Sequence, residues 1–499
     1  MVKTDLDNYS VMLNEVIKLC QKVKEIQDAD LTLQILIKCQ ETVITVGENL
    51  EKNCNKKDKD AIKNLHIIKR LEEFCELDYK FSNSIEITLV DEMMDVIKGV
   101  LRDINKIPRT YRVVFLPYKA AMWDSLESIW KEFAVSDECE TSVVPIPYFE
   151  ANRKTNQWDT CYEGDKYPEN VPVVHFQDYL LGQKKPDLVF VHNPFDQFNN
   201  VTTVHPAYYS AELRKSCGKI VYVPYYVNPG FISEDYNELP LLYRSDYIIV
   251  QSEKAKETCK GFPYYDRILP LGSPKFDKVI NLYNKKTAPP EEWNINLDGK
   301  KCILLNTTLT DFLESGELLI NKLYKVFKIA LSRKDIVVVW RPHPLLKGTV
   351  KAMRPQYIEK YDELVQYFID NNVGVYDKTA DVSRAVAVSD AYVGSHYSSI
   401  IALFAVFRID SKEFFDRNSV NNRERANAVD VFNKTEERSY FGCFESMNYT
   451  LEDFLDDLVG DNLYEVIEKQ KKEADIAVNL DGTCGRKVYQ YMLNILKNG

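Results

Sequence analysis

The stretch DIVVVWRPHPLL, residues 335–346, runs five apolar residues straight into an arginine, a histidine and two prolines. Apolar runs without polar alternation suit strands covered on both faces, as in a parallel sheet. A buried strand has no use for a guanidinium and an imidazole at its tip unless something binds there. In open α/β sheets, ligands sit beyond the carboxyl ends of the strands, so the RPHP loop is where a site belongs. The always-charged fork of Arg341 suits a diphosphate, and the imidazole of His343 can exchange a proton near neutral pH. The flanking prolines stiffen the loop. The plainer reading of so short a motif is an arginine in an ion pair beside a loop histidine.

The same rhythm extends in both directions. From Tyr111 onward, VVFLP, SVVPIP, DLVFVHN, KIVYVPYYV, YIIVQS and RILPLG alternate with amphipathic stretches such as DSLESIWKEF and EKAKETCKGF. A Pro-containing linker, TAPPEEW, interrupts them, and a second series follows: KCILLNTT, DIVVVWRPH, VGVYD and AYVGS. Two successive doubly wound α/β domains with a cleft between them are expected. Before residue 108 the period is instead helical, as in YSVMLNEVIKLCQKVKEIQ, with Gly47 and Gly99 the only glycines and Pro108 the only proline. The expected organisation is therefore a helical extension over 1–108, an N-terminal Rossmann-like domain over 109–285, and a C-terminal Rossmann-like domain over 286–499. The last helical segment, DGTCGRKVYQYMLNILKNG, is expected to pack back across the first domain.

Composition narrows the function. The formal net charge of −11 argues against nucleic acid as the main partner, because phosphate binding along a backbone needs a concentrated basic surface. It leaves room for a local cationic pocket. No run approaches the roughly 18 apolar residues that cross a bilayer, and the opening MVKTDLDNYS lacks the features of a signal peptide. The 11 cysteines are scattered singly with no C-x-x-C pair, which suits reduced thiols in the cytoplasm.

A second strand end resembles the first. SDAYVGSHYSSIIALFAVF, residues 389–407, reads as a strand, a turn at Ser395 and His396, and a helix opening near Ser398 and Ser399. Hydroxyls and free N–H groups at a helix start can hold an anion, or the serines can simply cap the helix.

RPHP, the downstream Asp381-Val382 and Ser389-Asp390 pairs, and HYSS together resemble the carboxyl-terminal domain of the CDP-glycerol glycerophosphotransferases, the GT-B-fold enzymes of teichoic acid synthesis. Upstream, SDYIIVQSEKAKETCKGF and LGSPKFDKV resemble the family's S-D-Y…S-E and G-x-P-R-x-D segments, with Lys275 in the arginine place. The strand end ILLNTTL, carrying Thr307 and Thr308, sits where the family has Y-x-P-T-F-R. The resemblance covers roughly 210–410. It implies a two-domain GT-B-like fold and transfer of glycerol phosphate from CDP-glycerol (or CDP-ribitol) to a polyol-phosphate or lipid-linked acceptor, without a metal or other cofactor. Lipid linkage would bring a peripheral membrane contact through a partner or through an apolar face of residues 1–108. Arg341, His343, Thr307, Thr308, Ser395, His396, Ser398 and Ser399 fall on the donor half.

This chain departs from the family pattern at three places. His396 replaces an aspartate, NTTL loses an arginine, and the H-G-T motif that supplies the usual candidate base has no counterpart. KIVYVPYYVNPG, with Asn228, occupies its place and leaves Asn228 only a substrate-binding role. The base is then sought in DLVFVHNPFDQFNNVTTVHP, where His192 ends a strand that is expected to aim it at the cleft and His205 lies in the loop beyond. A histidine bonded to its own loop is the alternative. Asp196 is a candidate to orient an imidazole. FLPYKAAMWDSLES brings Lys119 to a further strand end, for acceptor binding, with Asp124 as a helix cap. Rival readings are a GT-B glycosyltransferase or epimerase using a UDP-sugar, and a non-catalytic nucleotide-binding descendant.

Overall fold

The structure is a computed structural model that describes residues 1–152, 155–227, 237–379, 382–394, 398, 400, 403, 428–429, 451–460 and 477–498. Five helices come first: α1 (Lys3–Val23), α2 (Ala29–Lys52), α3 (Lys56–Asn64), α4 (Ile67–Ser84) and α5 (Ile87–Ile104). Their apolar residues recur three and four apart, as Leu6, Tyr9, Leu13, Val16 and Cys20 do in α1, and these rows meet in one helical core. No described helix is long and apolar enough to cross a membrane.

The first sheet is parallel. Its strands are β1 (Tyr111–Leu116), β2 (Cys139–Val143), β5 (Leu188–Val191), β7 (Lys219–Tyr222), β8 (Tyr247–Val250) and β9 (Ile268–Pro270), ordered β2-β1-β5-β7-β8-β9. A lone bridge from Val143 to Val173 extends it beyond β2. The second sheet holds β10 (Lys301–Thr307), β11 (Ile336–Pro342), β12 (Gly374–Tyr376), β13 (Ala391–Gly394) and β14 (Ala428–Val429), ordered β12-β11-β10-β13-β14 and also parallel. Burial explains both, since β1 and β5 are buried along their whole length and only Lys301 of β10 is not. The architecture is thus the expected one, a GT-B-like pair of Rossmann-like α/β sheets with an N-terminal helical extension.

Strand order fixes where ligands can enter. In each sheet the chain first builds outward in one direction and then returns to the other side, opening a crevice at the switch. In the first sheet the switch falls between β1 and β5, and in the second between β10 and β13. At the second switch the backbones come very close: a Cβ on Gly394 would lie 2.3 Å from the Asn306 carbonyl oxygen.

A third sheet was not expected. Strands β3 (Tyr148–Asn152), β4 (Gln157–Cys161) and β6 (Thr202–Val204) form an antiparallel sheet, ordered β4-β3-β6, within the loops at the carboxyl edge of the first sheet. The SVVPIP segment accordingly holds less strand than its sequence suggests, because β2 stops at Val143.

Two helices tie the halves together. Helix α6 (Asp124–Ala134) follows β1, and α7 (Pro274–Asn284) follows β9 and packs on α6. The final helix, α9 (Cys484–Asn498), returns to α6, with α8 (Leu309–Ser315) lying between in sequence after β10. Gly485 makes the return possible, because a Cβ there would stand 2.4 Å from the Ser128 backbone. The buried Asp277 carboxylate of α7 accepts the N–H groups of Cys484 and Gly485 at 2.9 and 2.7 Å, capping α9.

Candidate active site at two sheet edges

At the second edge, Arg341 is the penultimate residue of β11 and is only 8% exposed. Its Nη1 donates to the Asp377 carboxylate and, at 3.1 Å, to Thr379 Oγ1; its Nη2 donates to the Thr379 carbonyl at 2.8 Å. Asp377 follows β12, the neighbouring strand, and its other oxygen accepts from Trp293 Nε1 at 3.0 Å and Thr379 N–H at 2.9 Å. Three of the five guanidinium donors therefore face the chain itself. Of the two readings of the motif, a diphosphate fork and an ion pair, the structure shows an ion pair, made with the buried carboxylate that follows β12. Burying a charge demands such a partner.

His343 stands two residues on, half-buried. Its Nδ1 accepts the Leu345 N–H at 3.2 Å, and its backbone N–H donates to the Thr307 carbonyl at 2.9 Å. An accepting Nδ1 leaves the proton of the neutral ring on Nε2. Burial pushes its pKa below the ordinary histidine value. Thr307 is fully buried, its hydroxyl 3.4 Å from Trp340 Nε1. Thr308 is the N-cap of α8, forming a reciprocal capping box with Asp311, so its side chain is occupied in a helix cap. Ser398 Oγ accepts the Ile400 N–H at 3.2 Å, as a residue opening a turn does. Ser395, His396, Ser399, Asp381 and Asn228 lie outside the described residues.

The first edge is arranged differently. His192 directly follows β5 and has no exposed surface. Its Nε2 accepts the Tyr118 N–H at 3.1 Å, and Nδ1 lies 3.0 Å from Ser125 Oγ. The Ser125 hydroxyl donates to the Met122 carbonyl at 2.7 Å, so Nδ1–H is the donor to Ser125. Both ring nitrogens are engaged in the neutral tautomer, and burial, with a smaller contribution from the Lys275 charge, lowers the pKa to about 3. The strand does not aim this ring at the cleft; it ties β5 to the turn after β1. His205 is half-buried and stacks on Phe149, with its Nδ1 accepting the Ala207 N–H at 3.2 Å as the cap of a short 3₁₀ turn. Asp196 orients neither ring; it is buried and accepts the Ser210 N–H at 2.9 Å. Burial raises its pKa against the opposing Ser210 hydrogen bonds.

Asp124 is not a helix cap either. It sits in the first turn of α6, whose N-cap is Trp123, and pairs with Lys275 Nζ at 2.7 and 2.8 Å. Both partners are largely buried, and the pair joins α6 to α7. Lys275 was visible in the sequence as the stand-in for a family arginine, but its partner 151 residues away was not. Among the described residues no group of histidine, cysteine and carboxylate side chains is arranged to hold a metal ion.

Comparison with known proteins adds the following. The family model described as CDP-glycerol:poly(glycerophosphate) glycerophosphotransferase matches residues 227–408, which take in the SDYIIVQS, LGSPKFDKV, ILLNTTL, RPHP and HYSS segments. The search of curated proteins gives no match. Among solved structures, one of the wall teichoic acid polymerase TagF is 14% identical, with 89% of this chain and 98% of that one covered and a TM-score of 0.47. A co-structure of S. aureus MnaA with UDP is 12% identical, with 78% and 97% covered and a TM-score of 0.46. UDP-GlcNAc 2-epimerase from Neisseria meningitidis bound to UDP-GlcNAc is 12% identical, with 77% and 100% covered and a TM-score of 0.44.

Proposed function

We propose that the chain moves glycerol phosphate, or another polyol phosphate, from CDP-glycerol to a hydroxyl acceptor in cell-envelope polymer synthesis, on the match of residues 227–408 to the CDP-glycerol glycerophosphotransferase family model. That match is the observation that carries the reading. The second sheet is the donor half and the first the acceptor half. In the reaction an acceptor oxygen bonds to the phosphorus bearing the glycerol, the bond from that phosphorus to the bridging oxygen breaks, and CMP departs with the electron pair. The acceptor proton passes to water.

The roles follow from the chemistry at each edge. Arg341 keeps Nε–H and one Nη2–H without a partner among the described residues, and these two donors face the diphosphate charge. His343 donates a hydrogen bond from Nε2–H to the departing phosphate oxygen and keeps its proton, because Nδ1 accepts from Leu345 and the neutral ring has no second proton to give. The alcohol-bearing residues of the second switch, Thr307 with Ser395, Ser398 and Ser399, contact the donor's phosphates or polyol. His396 and Asn228 are further donor contacts. The working place is the cytoplasmic side, with the acceptor reached by peripheral contact at a membrane.

Calorimetric titration with CDP-glycerol, CDP-ribitol and UDP-sugars tests the reading. Binding of the CDP-polyols with no heat from UDP-N-acetylglucosamine supports it; preference for the UDP-sugar sinks it.

A further inference from the structure

A cavity of about 980 Å³ opens in the helical extension, between the end of α2, α3 and the start of α4. That volume is at the upper end of what small-molecule sites occupy. The cavity lies outside residues 227–408, to which the family match is confined.

Its walls differ in charge. Helix α3 presents Lys59 and Lys63, one turn apart, with the buried Ile62 between them and no carboxylate. Helix α2 presents Glu48 and Glu51 beside Lys52, and α4 presents Glu72 beside Lys69 and the apolar Ile68, with His66 at the turn before it. The charged groups stand exposed at the rim. Among the described residues none of these lysine or glutamate side chains makes a hydrogen bond or an ion pair. Even Lys69 and Glu72, three residues apart on one helix, stay apart, whereas Asp95 and Lys98 at that spacing on α5 pair at 2.9 Å.

The charge map selects the occupant. An anion alone would satisfy Lys59 and Lys63 but would face the carboxylates of α2 and α4, and a cation alone would do the reverse. A molecule that carries both charges satisfies both walls, and apolar atoms between its ends cover Ile62 and Ile68. We propose that this cavity binds a small zwitterion with an apolar body, its anionic end on Lys59 and Lys63 and its ammonium on Glu48, Glu51 and Glu72. The assignment is independent of the transferase reading, because no residue of either sheet edge takes part.

The test is calorimetric titration of the whole chain with trileucine, whose charged ends lie about 10 Å apart when extended. N-acetyl-trileucine and trileucine amide each lack one charge and should bind about fivefold more weakly, the worth of an ion pair at an exposed rim. Triglycine, with both charges and no apolar body, should give no measurable heat. Lys59→Gln with Lys63→Gln should erase the preference for trileucine over its amide while keeping the preference over the N-acetyl form. Glu48→Gln with Glu51→Gln should do the opposite. These are ratios within one variant, so a loosened bundle that weakens all the peptides alike does not imitate them. Every variant should bind CDP-glycerol as the wild type does; a wild type that fails to bind CDP-glycerol sinks the transferase reading and leaves this site standing. A wild type that ignores trileucine, or binds triglycine as well, overturns the site as drawn. Capped peptides that bind as tightly as trileucine overturn the pairing of both charges, and variants that keep both preferences place the peptide elsewhere and overturn the assignment to this cavity.

Discussion

The two sheet edges are built on the same plan and treat their histidines in opposite ways. At the first, His192 follows β5, is sealed from solvent and has both ring nitrogens bonded within the chain. At the second, His343 follows β11, is half-buried, and has only Nδ1 bonded among the described residues. A histidine at the carboxyl end of a parallel strand is therefore not a sign of chemistry by itself. What matters is whether neighbouring segments have already claimed its nitrogens.

The largest expected effect separates the sealed ring from the open one. Unfolded, His192 takes up a proton below about pH 6.5; folded, it stays neutral until about 3. The unfolded state thus binds the extra proton across this window, so folding stability falls as the pH drops, by about 1.4 kcal/mol per pH unit from this residue. Urea unfolding curves between pH 7 and 4 should show His192→Gln losing that part of the slope. An identical slope in the variant would mean the ring titrates in the folded state. His343 acts in the same direction, through a smaller shift caused by burial.

An effect of similar size is expected at the Arg341–Asp377 pair. Asp377→Ala leaves a buried guanidinium unpaired and should destabilise the second sheet by about 3–5 kcal/mol in urea unfolding. The smaller mutation Thr308→Ala removes only a helix cap and should cost about 1 kcal/mol. The first edge has no equivalent to lose, because Trp123, the N-cap of α6, makes no side-chain cap bond. If Asp377→Ala proved as mild as Thr308→Ala, Arg341 would be free to serve a ligand entirely.

The parallel sheets were legible in the sequence because full burial writes itself as unbroken apolar runs. The β3–β4–β6 sheet was not, since YFEAN, QWDTC and TTV are short and not markedly apolar. The β3–β6 pairing also joins distant segments, Tyr148 opposite Val204 and Glu150 opposite Thr202, which no local pattern reports. The placement of Arg341 and His343 beyond a strand could be read from RPHP alone. That Arg341 would be met by Asp377 could not, although the aspartate closing VGVYD, at the tip of an adjacent strand, was the available signal. His192 was misjudged for the same reason: its partners Tyr118 and Ser125 lie 74 and 67 residues away. Sequence reveals which residues reach an edge, but it does not reveal which of them the edge itself consumes.

Single-turnover release of CMP from CDP-glycerol in the presence of a glycerol phosphate oligomer tests the central claim most directly. The wild type should release CMP, His343→Ala should be slower by about 10²–10³ with its CDP-glycerol affinity retained, and His192→Gln should stay near the wild-type rate. No CMP from the wild type, or a collapse in His192→Gln with His343→Ala unaffected, would contradict the account.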